Sequence, residues 1–242
     1  MKQYFYKYLL IINIFVLTIN IVFFGIEQQY NLLKTRDIKI PSVKRYSETF
    51  HEGTPIDRVY IEDFLRQYQT YIQGNVLELK DAYYTYKFGS NIKNSDILDL
   101  SPQNRKATIV GDLQNSNTLQ KNKYNCFIMT QTLMYPYDTA AVLKNSYNAL
   151  KKDGVILITV PGIGFQTNEL GIYEESWHFT VYSLKRKLKD AGFKDIRVQQ
   201  YGNPLAATMF IQGLAVEDLK DKNLLMVDNH SCNFLITAFA QK

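Results

Sequence analysis

Leu150-Lys151-Lys152-Asp153-Gly154, running into Val155-Ile156-Leu157-Ile158-Thr159-Val160, is the stretch that decides the fold. Behind a charged Asp-Gly turn stand six apolar or β-branched residues with no alternation, so the strand they form has no polar face. A strand can be apolar on both sides only where both are covered, as inside a parallel sheet flanked by helices. The flanks agree: helical stretches run from Asp138 to Lys151 before the strand and from Val181 to Ala191 after it.

Working outward, the same pattern of short β-rich runs separated by helical stretches begins at about Gly53. Ile56, Val59, Tyr60, Phe64 and Tyr68 recur at helical intervals, predicting a helix over Ile56 to Tyr71 closed by Gly74. Strands are predicted at Val76–Leu79, Ile92–Leu98, Ala107–Val110, Tyr124–Thr130, Val155–Val160, Lys194–Tyr201 and Asn233–Ala240. This alternation specifies a doubly wound, mostly parallel, seven-stranded α/β sheet. Such sheets bind ligands beyond the carboxyl ends of their strands, where the strand order reverses. The residues just after Leu79, Leu98 and Thr130 are therefore the first candidates for a site.

Composition narrows the class. With 242 residues, 46% hydrophobic and 21% charged, the chain is long enough for one domain with an extension. Residues 1–50 hold seven Lys/Arg against three Asp/Glu, leaving 21 against 20 in the remainder, so the positive excess is not on the folded domain. That argues against nucleic acid as a partner. Tyr8 to Ile26 is a run of 19 uncharged residues, nearly 30 Å as a helix. Lys34, Arg36, Lys39, Lys44 and Arg45 follow it and predict that the domain lies on the cytoplasmic side of a membrane anchored by this segment. A helix docked on the domain or on a partner, in a cytoplasmic protein, is the alternative. The expected organisation is a hydrophobic helix at 1–26, a basic connector at 27–52 and a folded domain at 53–242. Cys126 and Cys232 match no metal or disulfide spacing.

The ordered motifs resemble the class I S-adenosylmethionine-dependent methyltransferases. Gly74-Asn75-Val76-Leu77-Glu78-Leu79 resembles that family's first strand and its terminal acid. Ser95-Asp96-Ile97-Leu98-Asp99-Leu100-Ser101-Pro102 resembles the end of the second, and Gly111-Asp112-Leu113 the segment after the third. Lys123-Tyr124-Asn125-Cys126-Phe127-Ile128 resembles the fourth, with Asn125 at the usual aspartate position. Leu150 to Leu157 and Ser183 to Phe193 resemble the late helix-to-strand turns. Thr54-Pro55-Ile56-Asp57-Arg58 and Trp177-His178-Phe179-Thr180 resemble a bacterial subgroup with a glycine-poor first motif, whose members often accompany glycan or cell-surface biosynthesis.

The resemblance implies S-adenosyl-L-methionine as cofactor, Asp96 or Asp99 on its ribose, Asp112 and Leu113 at the adenine edge, and Thr130 and Gln131 bordering both cofactor and acceptor. It implies methyl transfer to an oxygen of a small molecule, glycan or lipid-linked intermediate. The chain departs from the family at the first loop, where Glu78-Leu79-Lys80-Asp81-Ala82-Tyr83-Tyr84 contains no glycine. Either Lys80, Asp81 and Ala82 hold the cofactor differently, Lys80 attracting the methionine carboxylate, or the domain is a non-catalytic scaffold in a membrane-associated complex. His178 is the candidate general base because histidine titrates near neutrality; the competing reading is a loop residue leading into a helix. Tyr83, Tyr84 and Tyr86 could stack on adenine, and Pro161-Gly162-Ile163-Gly164 reads as a turn bordering the acceptor site.

Overall fold

The protein is seen in a computed structural model that describes residues 53–164, 174–227 and 232–242. The predicted anchor at 8–26 and the connector at 27–52 lie outside the described residues. Among those described, no helix is long and apolar enough to cross a membrane.

Seven strands form one sheet: β1 Gly74–Leu79, β2 Ile92–Asp99, β3 Ile109–Val110, β4 Tyr124–Thr130, β5 Leu150–Pro161, β6 Lys194–Tyr201 and β7 Leu235–Gln241. Their order is β3-β2-β1-β4-β5-β7-β6. The strands β1 to β5 pair in parallel, while β7 runs antiparallel between β5 and β6. Strand order reverses between β1 and β4, so loops leaving these two neighbours diverge and open a crevice at their carboxyl ends. All seven predicted strands are present. The third is shorter than expected, and Leu150 to Gly154, read as a turn, belongs to β5.

The helices are α1 Ile56–Gln67, α2 Tyr83–Phe88, α3 Thr139–Ala149, α4 Val181–Ala191 and α5 Pro204–Ile211. Period-two alternation assigns the faces. Leu77, Phe127, Met129, Ile156, Ile158 and Ala238 join one buried cluster with Val142 and Leu143 of α3 and Leu184 and Leu188 of α4. The intervening strand residues turn to the other face, where Tyr68 stacks on Phe239 with ring centroids 4.7 Å apart. There α1 buries Ile56, Tyr60, Ile61, Phe64 and Leu65, one stripe of a 3.6-residue period. The α1 helix stops at Gln67, short of the predicted Tyr71, and Gln69–Tyr71 tighten into a 3-10 turn.

The α4 helix starts where its sequence says it should. The Thr180 hydroxyl accepts from the Ser183 N–H, and the Ser183 side chain accepts in return from the Thr180 N–H. It ends at Gly192, whose φ of 106° is left-handed, the conformation that closes a helix with least strain when there is no Cβ. The segment carrying His178 is anchored just upstream: Phe179 N–H donates to Pro161 O at 3.2 Å, and Ser176 and Trp177 N–H donate to Met134 O.

Candidate functional site

The crevice is built by two backbone conformations that the side chains present do not favour. Lys80, the first residue after β1, has φ 72°, and Gln131, the first after β4, has φ 45°. The left-handed region costs a non-glycine residue roughly 1–2 kcal/mol. The other left-handed non-glycine residues among those described are Asn91, Asn122, Asp153 and Asp195, the residue types that tolerate it best. The two costly cases thus terminate the two strands that flank the crevice.

Both conformations are held by hydrogen bonds. Lys80 N–H donates to Leu98 O at 3.0 Å. Asn104 Nδ2 donates at 2.6 Å to Lys80 O and at 2.6 Å to Asp99 Oδ2. Asp99 Oδ1 accepts from Ser101 N–H at 2.9 Å. One amide therefore ties the loop after β1 to the loop after β2 and orients the Asp99 carboxylate. Each oxygen of that half-buried carboxylate receives one such bond and can accept another. On the β4 side, Gln131 N–H donates to Thr159 O at 2.8 Å.

Glu78 is 2% exposed and is spent inside the fold. Its Oε1 accepts from Tyr84 N–H at 3.0 Å; its Oε2 accepts from Thr85 N–H and the Thr85 hydroxyl, both at 2.7 Å. Asp81 Oδ1 accepts from Tyr83 N–H at 3.0 Å. Two carboxylates thus satisfy the first three N–H groups of α2, whose preceding residue, Ala82, has no side chain that could. Burial raises the Glu78 pKa; the Thr85 and Tyr84 hydrogen bonds oppose that without cancelling it.

From the α1 side two adjacent, oppositely charged residues reach this region. Asp57 Oδ2 accepts from Gln131 Nε2 at 3.0 Å. This fixes the amide orientation, since its oxygen would otherwise face a carboxylate. Gln131 Oε1 is then left buried without a hydrogen-bond partner among the described residues. Burial lifts the Asp57 pKa despite the Gln131 bond. Arg58 donates to the Tyr84 hydroxyl at 2.6 Å, its guanidinium 5.5 Å from the Tyr84 ring centre. Burial pulls the Arg58 pKa down, but the Tyr84 hydroxyl and the Asp57 charge outweigh it, so the group stays charged.

No family model and no curated protein matches the chain. Solved structures do match. A putative S-adenosylmethionine-dependent methyltransferase from Listeria monocytogenes aligns with TM-score 0.53 at 17% identity, over 77% of this chain and 96% of that one. A SAM-dependent methyltransferase from Archaeoglobus fulgidus aligns with TM-score 0.50 at 14% identity, over 76% and 94%. Phosphoethanolamine N-methyltransferase 2 of Haemonchus contortus, solved with S-adenosyl-L-methionine, gives TM-score 0.53 at 16% identity, over 78% of this chain and 53% of that one. The chain has the class I S-adenosylmethionine-dependent methyltransferase fold.

On this methyltransferase fold the predicted site residues separate. Leu77 pairs with Asp96 and Glu78 with Ile97, so Asp96 projects to the face opposite Glu78, while Asp99 returns to the face of Glu78 at the strand end. Asp96 lies three residues short of that end, held by Lys123 Nζ at 2.7 Å, the Tyr124 hydroxyl at 2.9 Å and the Thr108 hydroxyl at 3.3 Å. Burial raises its pKa, but the Lys123 and Tyr124 contacts outweigh that and hold it below the usual range. Of the two ribose candidates, Asp96 thus lies on the face opposite Glu78 and Asp99 on the same face, while Glu78 itself caps α2.

Asp112 stands after β3, its carboxylate accepting from the Gln114 N–H at 2.8 Å and the Gln114 amide at 3.1 Å. Leu113 is buried in the α3–α4 core, with its carbonyl taking a hydrogen bond from Asn145. Thr130 ends β4 opposite Thr159. Ala82 is buried and Lys80 exposed. His178 is largely exposed, with Nε2 3.5 Å from Glu175 Oε2. A Cβ added to Gly164 would come within 3.0 Å of the imidazole, so His178 overlies the turn after β5. Asn104 carried no signal in the sequence. Asp57 and Arg58 lie within the Thr54-Pro55-Ile56-Asp57-Arg58 motif, but nothing in their spacing indicates contact with β4 and α2.

Proposed function

We propose that this chain is an S-adenosylmethionine-dependent methyltransferase whose cofactor lies in the crevice beyond β1 and β4. The observation that carries the reading is the pair of left-handed, non-glycine residues, Lys80 and Gln131, at the ends of these two strands. Strain of this kind persists where function holds the backbone against its preference. It also answers the missing glycines: Lys80 itself adopts a conformation that glycine usually supplies, so the loop keeps a left-handed turn without the residue type.

The residues present fit the group. Asp99 has accepting capacity left for ribose hydroxyls, and Gln131 Oε1 is an orphaned buried acceptor. Asp112, Leu113, Asp81, Ala82 and Thr130 would border it. When bound, the cofactor supplies a methyl group already activated on a sulfonium, which leaves the protein mainly the task of alignment. His178, whose Nε2 lies 3.5 Å from Glu175 Oε2, would take the proton from an acceptor hydroxyl. The acceptor class we favour is an alcohol on a small molecule, glycan or lipid-linked intermediate rather than nucleic acid. Residues 8–26 would hold the domain at the cytoplasmic side of a membrane.

A non-catalytic scaffold is the second reading, favoured by one observation: Glu78 is engaged with the N–H groups of α2, and Arg58 with the Tyr84 hydroxyl, inside the fold. Titration calorimetry with S-adenosylhomocysteine separates the two. Micromolar binding, weakened at least tenfold by Asp99→Ala, is the expected result. No heat at millimolar ligand overturns the enzyme reading and leaves the scaffold.

A further inference from the structure

The first turn of α1 presents a negative and a positive side chain whose hydrogen bonds run to different elements. The acceptors of Asp57 lead to β4 through Gln131, and the guanidinium of Arg58 leads to α2 through Tyr84. Among the described residues the Arg58 guanidinium is within ion-pair distance of no carboxylate, and its hydrogen bond goes to the neutral Tyr84 hydroxyl. A half-buried guanidinium with donors to spare is suited to a carboxylate, which it can hold by two parallel bonds. Beside it, the Asp57 carboxylate and the orphaned Gln131 Oε1 form an all-acceptor pair, which suits an ammonium with its three donors. The two halves stand at adjacent positions of one helix, over the gap between the ends of β1 and β4.

We infer that Asp57, Arg58 and Gln131 form a receptor for an α-amino-acid zwitterion, the amino-acid end of the cofactor, with Arg58 on its carboxylate and Asp57 and Gln131 on its ammonium. The inference rests on the cofactor reading above and moves the carboxylate contact from Lys80, which is exposed, to α1. It also gives the glycine-poor loop a partner: α1 supplies the charge recognition, and the loop after β1 needs only the shape set by Lys80.

Two ligands that differ by this end test it. S-adenosylhomocysteine carries the zwitterion; 5′-methylthioadenosine keeps the adenosine and thioether and lacks it. Calorimetry with wild-type full-length protein should show clear preference for the first. In Arg58→Met and Asp57→Asn, S-adenosylhomocysteine affinity should fall about 10- to 100-fold, as expected for losing charge-assisted bonds. Affinity for 5′-methylthioadenosine should stay within about twofold, which also shows that the variants fold. Lys80→Met should leave the ratio of the two affinities as in wild type. Equal loss for both ligands, no loss for either, or a selective loss in Lys80→Met overturns the receptor while leaving the cofactor reading standing. Wild-type protein that binds neither ligand removes the cofactor reading and this inference with it.

Discussion

Glu78→Ala separates a structural role for this carboxylate from a ligand-binding one. The substitution deprives three donors of their acceptor: the N–H groups of Tyr84 and Thr85 and the Thr85 hydroxyl, in surroundings where Thr85 is fully buried. A buried donor left unpaired costs about 1–3 kcal/mol. Removing a buried carboxylate returns part of that, as does water entering the space, so the expected net loss is about 3 kcal/mol. Glu78→Gln keeps one acceptor oxygen and should lose less than half as much. The pH dependence gives an independent check. Burial puts the folded pKa above the unfolded value of 4.5, so the protonated carboxyl's contribution is complete below that value. It is lost as pH rises through the higher folded one. The advantage of wild type over Glu78→Gln should therefore shrink across that window. Urea unfolding followed by circular dichroism measures all of this. A loss under 1 kcal/mol for Glu78→Ala at constant m-value, combined with abolished S-adenosylhomocysteine binding, would refute the capping argument and restore Glu78 as a ligand.

Three further outcomes follow from the same geometry. Lys80→Gly should hold stability or raise it by up to about 1 kcal/mol, because relief of left-handed strain offsets the added freedom of the unfolded chain, whereas Lys80→Val should cost about 2 kcal/mol; thermal unfolding reads both. Asp96→Asn should cost about 1 kcal/mol at neutral pH for a half-buried ion pair and leave ligand affinity unchanged. Because the folded Asp96 pKa is lowered, its contribution is present above the unfolded value of 3.8 and lost as pH falls through the folded one, so the variant should show a flatter acid limb in a pH–stability curve. Asn104→Ala should weaken S-adenosylhomocysteine about tenfold by releasing Asp99 and the Lys80 carbonyl together, measured by calorimetry against a thermal-stability control.

The sheet was legible in the sequence because its signal is redundant. An apolar run such as Val155 to Val160 admits few other environments, and seven strand-length segments separated by helical stretches leave one architecture. The two helices that escaped are those whose signals conflict. Tyr83–Phe88 is a six-residue helix rich in β-favouring aromatics, and it exists because Glu78 and Asp81 cap it. Pro204–Ile211 is apolar on every side and shows no stripe, although Asn203 before Pro204 is a helix-start pair that could have located it. Within the site, Asp99 could not be told from Asp96 because the choice depends on the register of β2 against β1, which sequence spacing does not encode. Asn104, Asp57 and Arg58 act through contacts made across the fold, and no local pattern announces them.

The placement of β7 has a consequence for how the molecule is made. On the far side of β5, β6 has no sheet partner among the described residues other than β7, which is later in the chain and must slide between the two as the antiparallel member. Until residues 235–241 leave the ribosome, β5 and β6 each present an unpaired edge to the cell, and the parallel half has nothing to dock against on that flank. Such edges invite intermolecular pairing. A chain stalled or trimmed before Leu235 should therefore accumulate as an aggregation-prone half-sheet, and its yield in cells should respond to chaperone supply more sharply than that of the finished protein.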